Sequence, residues 1–141
     1  MTTLPIHTNV ADPFLRTDEQ RIRDLFHDRA AADAMVTRLM RPELEDIGLK
    51  NQTTTARLTW QPRGYDPHLA KWLHRIDVPT LLVWGGNDRV YPRELGDAYA
   101  KLIPDAKLVV VPECGHLPQI ERREAFVAAL HQFLDRERAA A

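Results

Sequence analysis

Two short, unbroken apolar runs constrain this chain more than any other feature. One is Thr80-Leu-Leu-Val-Trp84 and the other is Leu108-Val-Val-Val111. Both are too short for buried helices, and their β-branched content suits strands covered on both faces. Between them, Pro92 opens a segment to about Leu102 in which Leu95, Ala98, Tyr99 and Leu102 recur at helical spacing. Strand, about eleven helical residues, then strand is a βαβ unit, which is parallel and almost always right-handed.

Each run ends in a loop with one residue capable of acid–base chemistry. Gly85-Gly-Asn-Asp88 follows the first run, and Cys114-Gly-His116 follows the second. In open α/β sheets ligands sit beyond the carboxyl ends of the strands, and neighbouring strands lie about 5 Å apart. Asp88 can therefore reach His116. It would fix the imidazole tautomer and stabilise the imidazolium formed when the other ring nitrogen takes a proton from a nucleophile. Gly85, Gly86 and Gly115 are expected to let the two loops turn sharply. Taken singly, Asp88 reads as a turn residue and His116 as a surface histidine. The order of the pair and the shared strand ends give it chemical meaning.

The chain before residue 76 reads as helical. Residues 1–16 carry Pro5 and Pro13 without periodicity and form an extended lead-in. Thr17-Asp-Glu-Gln20 has the form of a capping box, so a helix follows with Ile22, Leu25 and Phe26 on one face. Asp28 caps a second helix from Ala30 to Met40, which Pro42 ends. Pro42 to Lys50, with Gly48, is expected to be a turn or a short helical piece, and Gln52 to Trp60 a weak helix because of its three threonines. Asp66-Pro67 starts a short helix carrying Leu69, Trp72 and Leu73. At the other end, Pro118 to Glu124 leads into a final helix with Phe126, Val127, Leu130, Phe133 and Leu134 facing inward. Glu121, Arg122, Arg123 and Glu124 are read as its solvated face.

Composition removes several functions. The net charge of -1 gives no attraction to nucleic acid or an anionic membrane. No apolar run approaches the roughly 20 residues that span a bilayer, and the N-terminus lacks the pattern of a secretory signal. A single cysteine, Cys114, excludes an internal disulfide and fits a reducing, cytoplasmic setting. His7, His27, His68, His74 and His131 are scattered without metal-ligand spacing, so neither metal nor cofactor is expected. Most informative of all, the 141 residues contain no serine.

The segment from Trp72 to Leu134 resembles the C-terminal end of the α/β-hydrolase fold. The resemblance lies in Trp72 to Pro92, in Ala100-Lys-Leu-Ile-Pro-Asp-Ala106, and in Cys114-Gly-His-Leu-Pro-Gln-Ile-Glu121 followed by a helix. It implies a partial α/β-hydrolase fold: a helical cap segment over residues 1–71, then the βαβ unit and C-terminal helix of the core over residues 72–141. It also implies Asp88 as triad acid and His116 as triad base. The family order is nucleophile, acid, histidine, with the nucleophile on a Gly-x-Ser-x-Gly elbow. That elbow and the oxyanion loop precede the cap and are absent here. The implied chemistry is ester-type hydrolysis of a small apolar substrate, although the family also includes carbon–carbon hydrolases, epoxide hydrolases and dehalogenases.

Trp60 and Tyr91 are candidates to touch substrate. Trp60, Trp72, Phe26, Met35 and Met40 suit an apolar pocket under a cap, or simply the packing of cap helices. Cys114 is the one thiol available as a substitute nucleophile, but it lies two residues from His116 with no elbow to present it. Two parallel strands rarely make a stable sheet, and an open apolar edge invites pairing. The chain is therefore expected to be marginally stable, to self-associate, or to need a second polypeptide supplying the N-terminal half. The alternative is an inactive remnant or a small binding module.

Overall fold

A computed structural model of the chain describes residues 16–58, 66 and 68–140. Helices come first. α1 (Asp18–Asp24) begins at Thr17, whose hydroxyl accepts from the Gln20 amide while the Gln20 side chain accepts from the Thr17 amide, so the capping box forms in full. α2 (Arg29–Leu39) begins at Asp28, whose carboxylate accepts from the Ala31 amide at 3.0 Å. The turn between these helices buries Phe26, and α2 buries Ala32 behind it.

A 3-10 turn over Pro42–Leu44 leads into α3 (Glu45–Leu58). Here the chain departs from the expected turn and weak helix, because one continuous helix of 14 residues forms. Gly48 meets open space, and the Thr53 and Thr54 hydroxyls donate to the carbonyls of Leu49 and Lys50 at 2.9 Å. Those back-bonds satisfy the hydroxyls inside the helix rather than against it. The helix expected after Asp66 is instead two 3-10 turns, Leu69–Lys71 and Leu73–Arg75. The Asp66 carboxylate accepts from the His68 amide at 2.7 Å, and the backbone bonds that follow each span three residues. Leu73 is thereby turned into the core.

β1 (Thr80–Gly85) and β2 (Ala106–Val111) pair in parallel, from Thr80 opposite Ala106 to Gly85 opposite Val111. α4 (Arg93–Leu102) connects them, completing the βαβ unit. Leu73, Leu95 and Ile103 form the centre of the core, flanked by Trp84, Tyr99 and Ala106. Gly96 permits this packing, since a Cβ there would lie 2.9 Å from the Trp84 ring. α5 (Pro118–Glu121) and α6 (Arg123–Ala140) follow β2, and both α4 and α6 contact the strand pair.

The strands are less covered than their composition suggests. Only Gly85 and Val111 are fully buried, the other positions being half-exposed. Two strands leave one open edge each among the described residues. α6 departs in the same direction: Ala129 is buried and Phe126 and Phe133 are half-buried, but Val127, Leu130 and Leu134 stay 37–41% exposed. A helix patterned for burial thus shows much of its apolar face to solvent. Among the described residues no helix is long and apolar enough to cross a membrane.

Candidate active site

The C-terminal ends of β1 and β2 bring Asp88 and His116 together. The imidazole Nδ1 lies 2.9 Å from Asp88 Oδ2. The other oxygen, Oδ1, accepts from the amides of Val90 (2.8 Å) and Tyr91 (2.9 Å). The Asp88 side chain is only 4% exposed and that of His116 is 29% exposed. A carboxylate with every oxygen engaged cannot rotate away, and its bond to Nδ1 assigns the ring proton to that nitrogen. Nε2 is left as the basic site and has no protein partner among the described residues.

The two loops interlock through backbone contacts. Gly86 N–H donates to Val111 O and Asn87 N–H to Cys114 O, both at 2.8 Å. Gly85 and Gly115 were expected to provide turning freedom, but neither has a left-handed φ. They are needed because backbones touch there. A Cβ on Gly85 would fall 1.8 Å from Gly115 O, and one on Gly115 would fall 2.6 Å from Leu25 O. The left-handed residue of this loop is Glu113, at φ 48°. The His116 amide donates to Leu25 O at 2.8 Å, so the histidine loop rests on the α1–α2 turn.

Tyr91 lies beside His116. Its ring is tilted 56° to the imidazole with centroids 5.5 Å apart, and its carbonyl accepts from Trp84 Nε1 at 3.1 Å. Trp60 lies outside the described residues. A cavity of about 290 Å³ is lined by Arg23, Phe26, His27, Arg29, Ala32 and Arg89; neither Asp88 nor His116 lines it. Of the aromatic and methionine candidates for an apolar pocket that lie among the described residues, Phe26 lines it. Trp72 is 48% exposed beneath Lys71 and Arg75, and Met40 is 51% exposed. The cavity lining mixes arginines with the apolar Phe26 and Ala32, and Arg23 is already bonded to Glu19 and Asp33.

Cys114 is fully buried. Burial, then the Glu121 carboxylate beside it, push its thiol up to about 11. Such a sulfur is neither accessible nor ionised near neutrality, which removes it as a nucleophile. Among the described residues no group of three or more histidine, cysteine or acidic side chains is arranged to hold a metal.

Glu121 is the residue that the sequence reading misplaced. It was assigned to a solvated face, yet its Oε1 accepts from the Asp28 amide and its Oε2 from the Gly115 amide, both at 2.5 Å. Burial favours the protonated form, but hydrogen bonds from the backbone of Asp28, Gly115 and His27 outweigh it and hold the carboxyl below its ordinary range. The position carries no sequence signal, because Asp28 is 93 residues away.

Comparison with known proteins places the chain in a family. The sequence pattern of the alpha/beta hydrolase fold matches residues 14–123. The pimeloyl-[acyl-carrier protein] methyl ester esterase of Neisseria meningitidis is 33% identical over 104 residues, covering 74% of this chain and 38% of that protein. The 2-hydroxy-6-oxo-6-(2'-aminophenyl)hexa-2,4-dienoic acid hydrolase of Metapseudomonas resinovorans is 40% identical over 72 residues, covering 51% of this chain and 24% of that protein. Among solved structures, a serine hydrolase involved in carbazole degradation superposes with a TM-score of 0.64 at 27% identity, covering 82% of this chain and 45% of that one. The chain thus spans less than half the length of each of these proteins. By pattern, identity and superposition, it belongs to the alpha/beta hydrolase fold family.

Proposed function

We propose that Asp88 and His116 are the acid and base of an ester-type hydrolase acting on a small substrate, with nucleophile and oxyanion donors carried by polypeptide outside these 141 residues. The observation that carries this reading is the 2.9 Å bond from Nδ1 to Asp88 Oδ2, made by a carboxylate whose other oxygen two amides hold. In this reading a hydroxyl presented to Nε2 gives up its proton as its oxygen attacks the substrate carbonyl. Asp88 stabilises the resulting imidazolium. The imidazolium then protonates the leaving alkoxide, and the acyl group remains on the nucleophile. A water molecule, deprotonated by the same Nε2, attacks that acyl carbon; the bond from acyl carbon to nucleophile oxygen breaks, the imidazolium returns its proton to that oxygen, and the carboxylic acid leaves.

The remaining assignments follow from this one. Residues 1–71 serve as a helical cap and residues 72–141 as the acid- and base-bearing part of the core. Tyr91 and Trp60 are assigned to the substrate wall. Sequencing the DNA upstream of the Met1 codon tests the proposal. The expected result is a frame encoding Gly-x-Ser-x-Gly between a strand and a helix; an aspartate at the elbow would overturn the ester-type reading. Upstream sequence unrelated to a hydrolase would favour the non-enzymatic reading.

A further inference from the structure

The loop carrying His116 is held from behind by a residue outside the dyad. Gly115 lies against the α1–α2 turn so closely that a Cβ there would meet Leu25 O at 2.6 Å and His27 N at 2.7 Å. Two backbone N–H groups, those of Gly115 and Asp28, converge at this contact. Donors cannot bond one another, so each needs an acceptor if it is not to be left unsatisfied. Glu121 supplies one oxygen to each at 2.5 Å, and bonds to an ionised carboxylate are stronger than neutral ones. The carboxylate is itself well anchored: the Glu121 amide donates to Leu117 O at 2.9 Å, directly behind His116.

We propose that Glu121 is the positioning residue of His116, a carboxylate clamp that fixes the histidine loop to the α1–α2 turn. The proposal rests on the reading of His116 as the base. Glu121 acts through the Gly115 peptide, which leads directly into His116, and does not touch the reacting atoms. On the opposite side the Asn87 amide holds Cys114 O at 2.8 Å. The imidazole is thus set between the acid loop and the helical N-terminal half. Displacement of the turn over residues 25–28 would pull Gly115 with it and open the Asp88–His116 bond, so the clamp couples helix position to the competence of the base.

NMR on the full 141-residue chain tests this without any turnover. In the wild type, the His116 Nδ1–H is expected far downfield, and the Gly115 and Asp28 amides are expected to exchange slowly with solvent. In Glu121→Gln, an amide side chain offers one acceptor oxygen and turns an NH₂ toward the other donor. At least one of the two amides should then exchange about tenfold faster, and the Nδ1–H signal should broaden or vanish. Glu121→Ala should release both amides. Glu124→Gln, an exposed acid on the next helix, should change neither. A Glu121 variant that loses stability but keeps the Nδ1–H signal would reduce Glu121 to a purely structural role and overturn the proposal. Fast exchange of Gly115 and Asp28 in the wild type would overturn it without any variant. Protected amides with no downfield Nδ1–H in the wild type would instead remove the acid–base reading, and with it the role given to Glu121.

Discussion

Gly85→Ala is the substitution for which the structure gives the firmest expectation. The added methyl would sit 1.8 Å from Gly115 O, 2.6 Å from Cys114 O and 2.7 Å from Gly115 C. All three are backbone atoms, so no side-chain rotation relieves the clash. Reaching even 3.0 Å requires the loops to separate by at least 1.2 Å. That stretches the 2.9 Å Asp88–His116 bond to about 4 Å, beyond hydrogen-bond range. Overpacking of this kind costs about 1–3 kcal/mol, and losing the Asn87 bond to Cys114 O adds about 1 kcal/mol. With a urea dependence of about 2 kcal/mol per molar, a total near 3 kcal/mol lowers the midpoint by about 1.5 M. The assay is urea unfolding followed by tryptophan fluorescence at matched protein concentration. Gly48→Ala is the control: nothing lies within 4 Å of its Cβ position inside α3, so it should stabilise by about 0.5–1 kcal/mol. A Gly85→Ala chain with an unchanged midpoint and an intact His116 Nδ1–H signal would refute the close-approach argument.

Other outcomes follow from the same geometry. Cys114, buried and with its thiol raised to about 11, should resist iodoacetamide at neutral pH in the folded chain and react once urea exposes it; rapid labelling of the native chain would contradict its burial. Glu121 has a folded pKa below its ordinary 4.5, so its stabilisation is complete above that value and is lost as pH falls through the lower folded one. An acid titration should therefore show the wild type losing stability below pH 4.5 more steeply than Glu121→Gln, and parallel curves would show that this carboxylate makes no contribution. The exposed Val127, Leu130 and Leu134 of α6 and the open strand edges predict concentration-dependent association in sedimentation velocity. A clean monomer with a cooperative urea transition would count against that expectation.

Local chemistry was legible in the sequence, and long-range polar contacts were not. Thr17 and Asp28 announced their helix starts because a cap is written within four residues. The two strands and the helix between them were legible from short apolar runs and helical spacing, and the pairing of Asp88 with His116 followed from where strands end. The 3-10 turns after Asp66 were missed because a capping residue specifies a start but not how many turns follow. α3 was underestimated because helix propensity is only a weak prior, and three threonines do not break the helix. Gly85 and Gly115 were recognised as necessary for the wrong reason: whether a glycine provides dihedral freedom or close approach depends on what lies across from it. Glu121 shows the same limit more sharply, since its partners come from the other end of the chain and from a loop six residues back. The half-exposed strands and α6 follow from the absence of further partners among the described residues, which composition alone does not reveal.

The central claim is that Asp88 and His116 supply acid and base to a nucleophile carried on other polypeptide. The most direct measurement is hydrolysis of p-nitrophenyl butyrate by this chain assembled with an N-terminal segment bearing Gly-x-Ser-x-Gly from an alpha/beta hydrolase relative, after co-purification has shown that the two associate. The account predicts turnover by the complex and none by either part alone. It also predicts a loss of about 10⁴-fold on Asp88→Asn and of about 10⁶-fold on His116→Ala. An assembled complex that turns over no ester, or one whose turnover is indifferent to both substitutions, would contradict it.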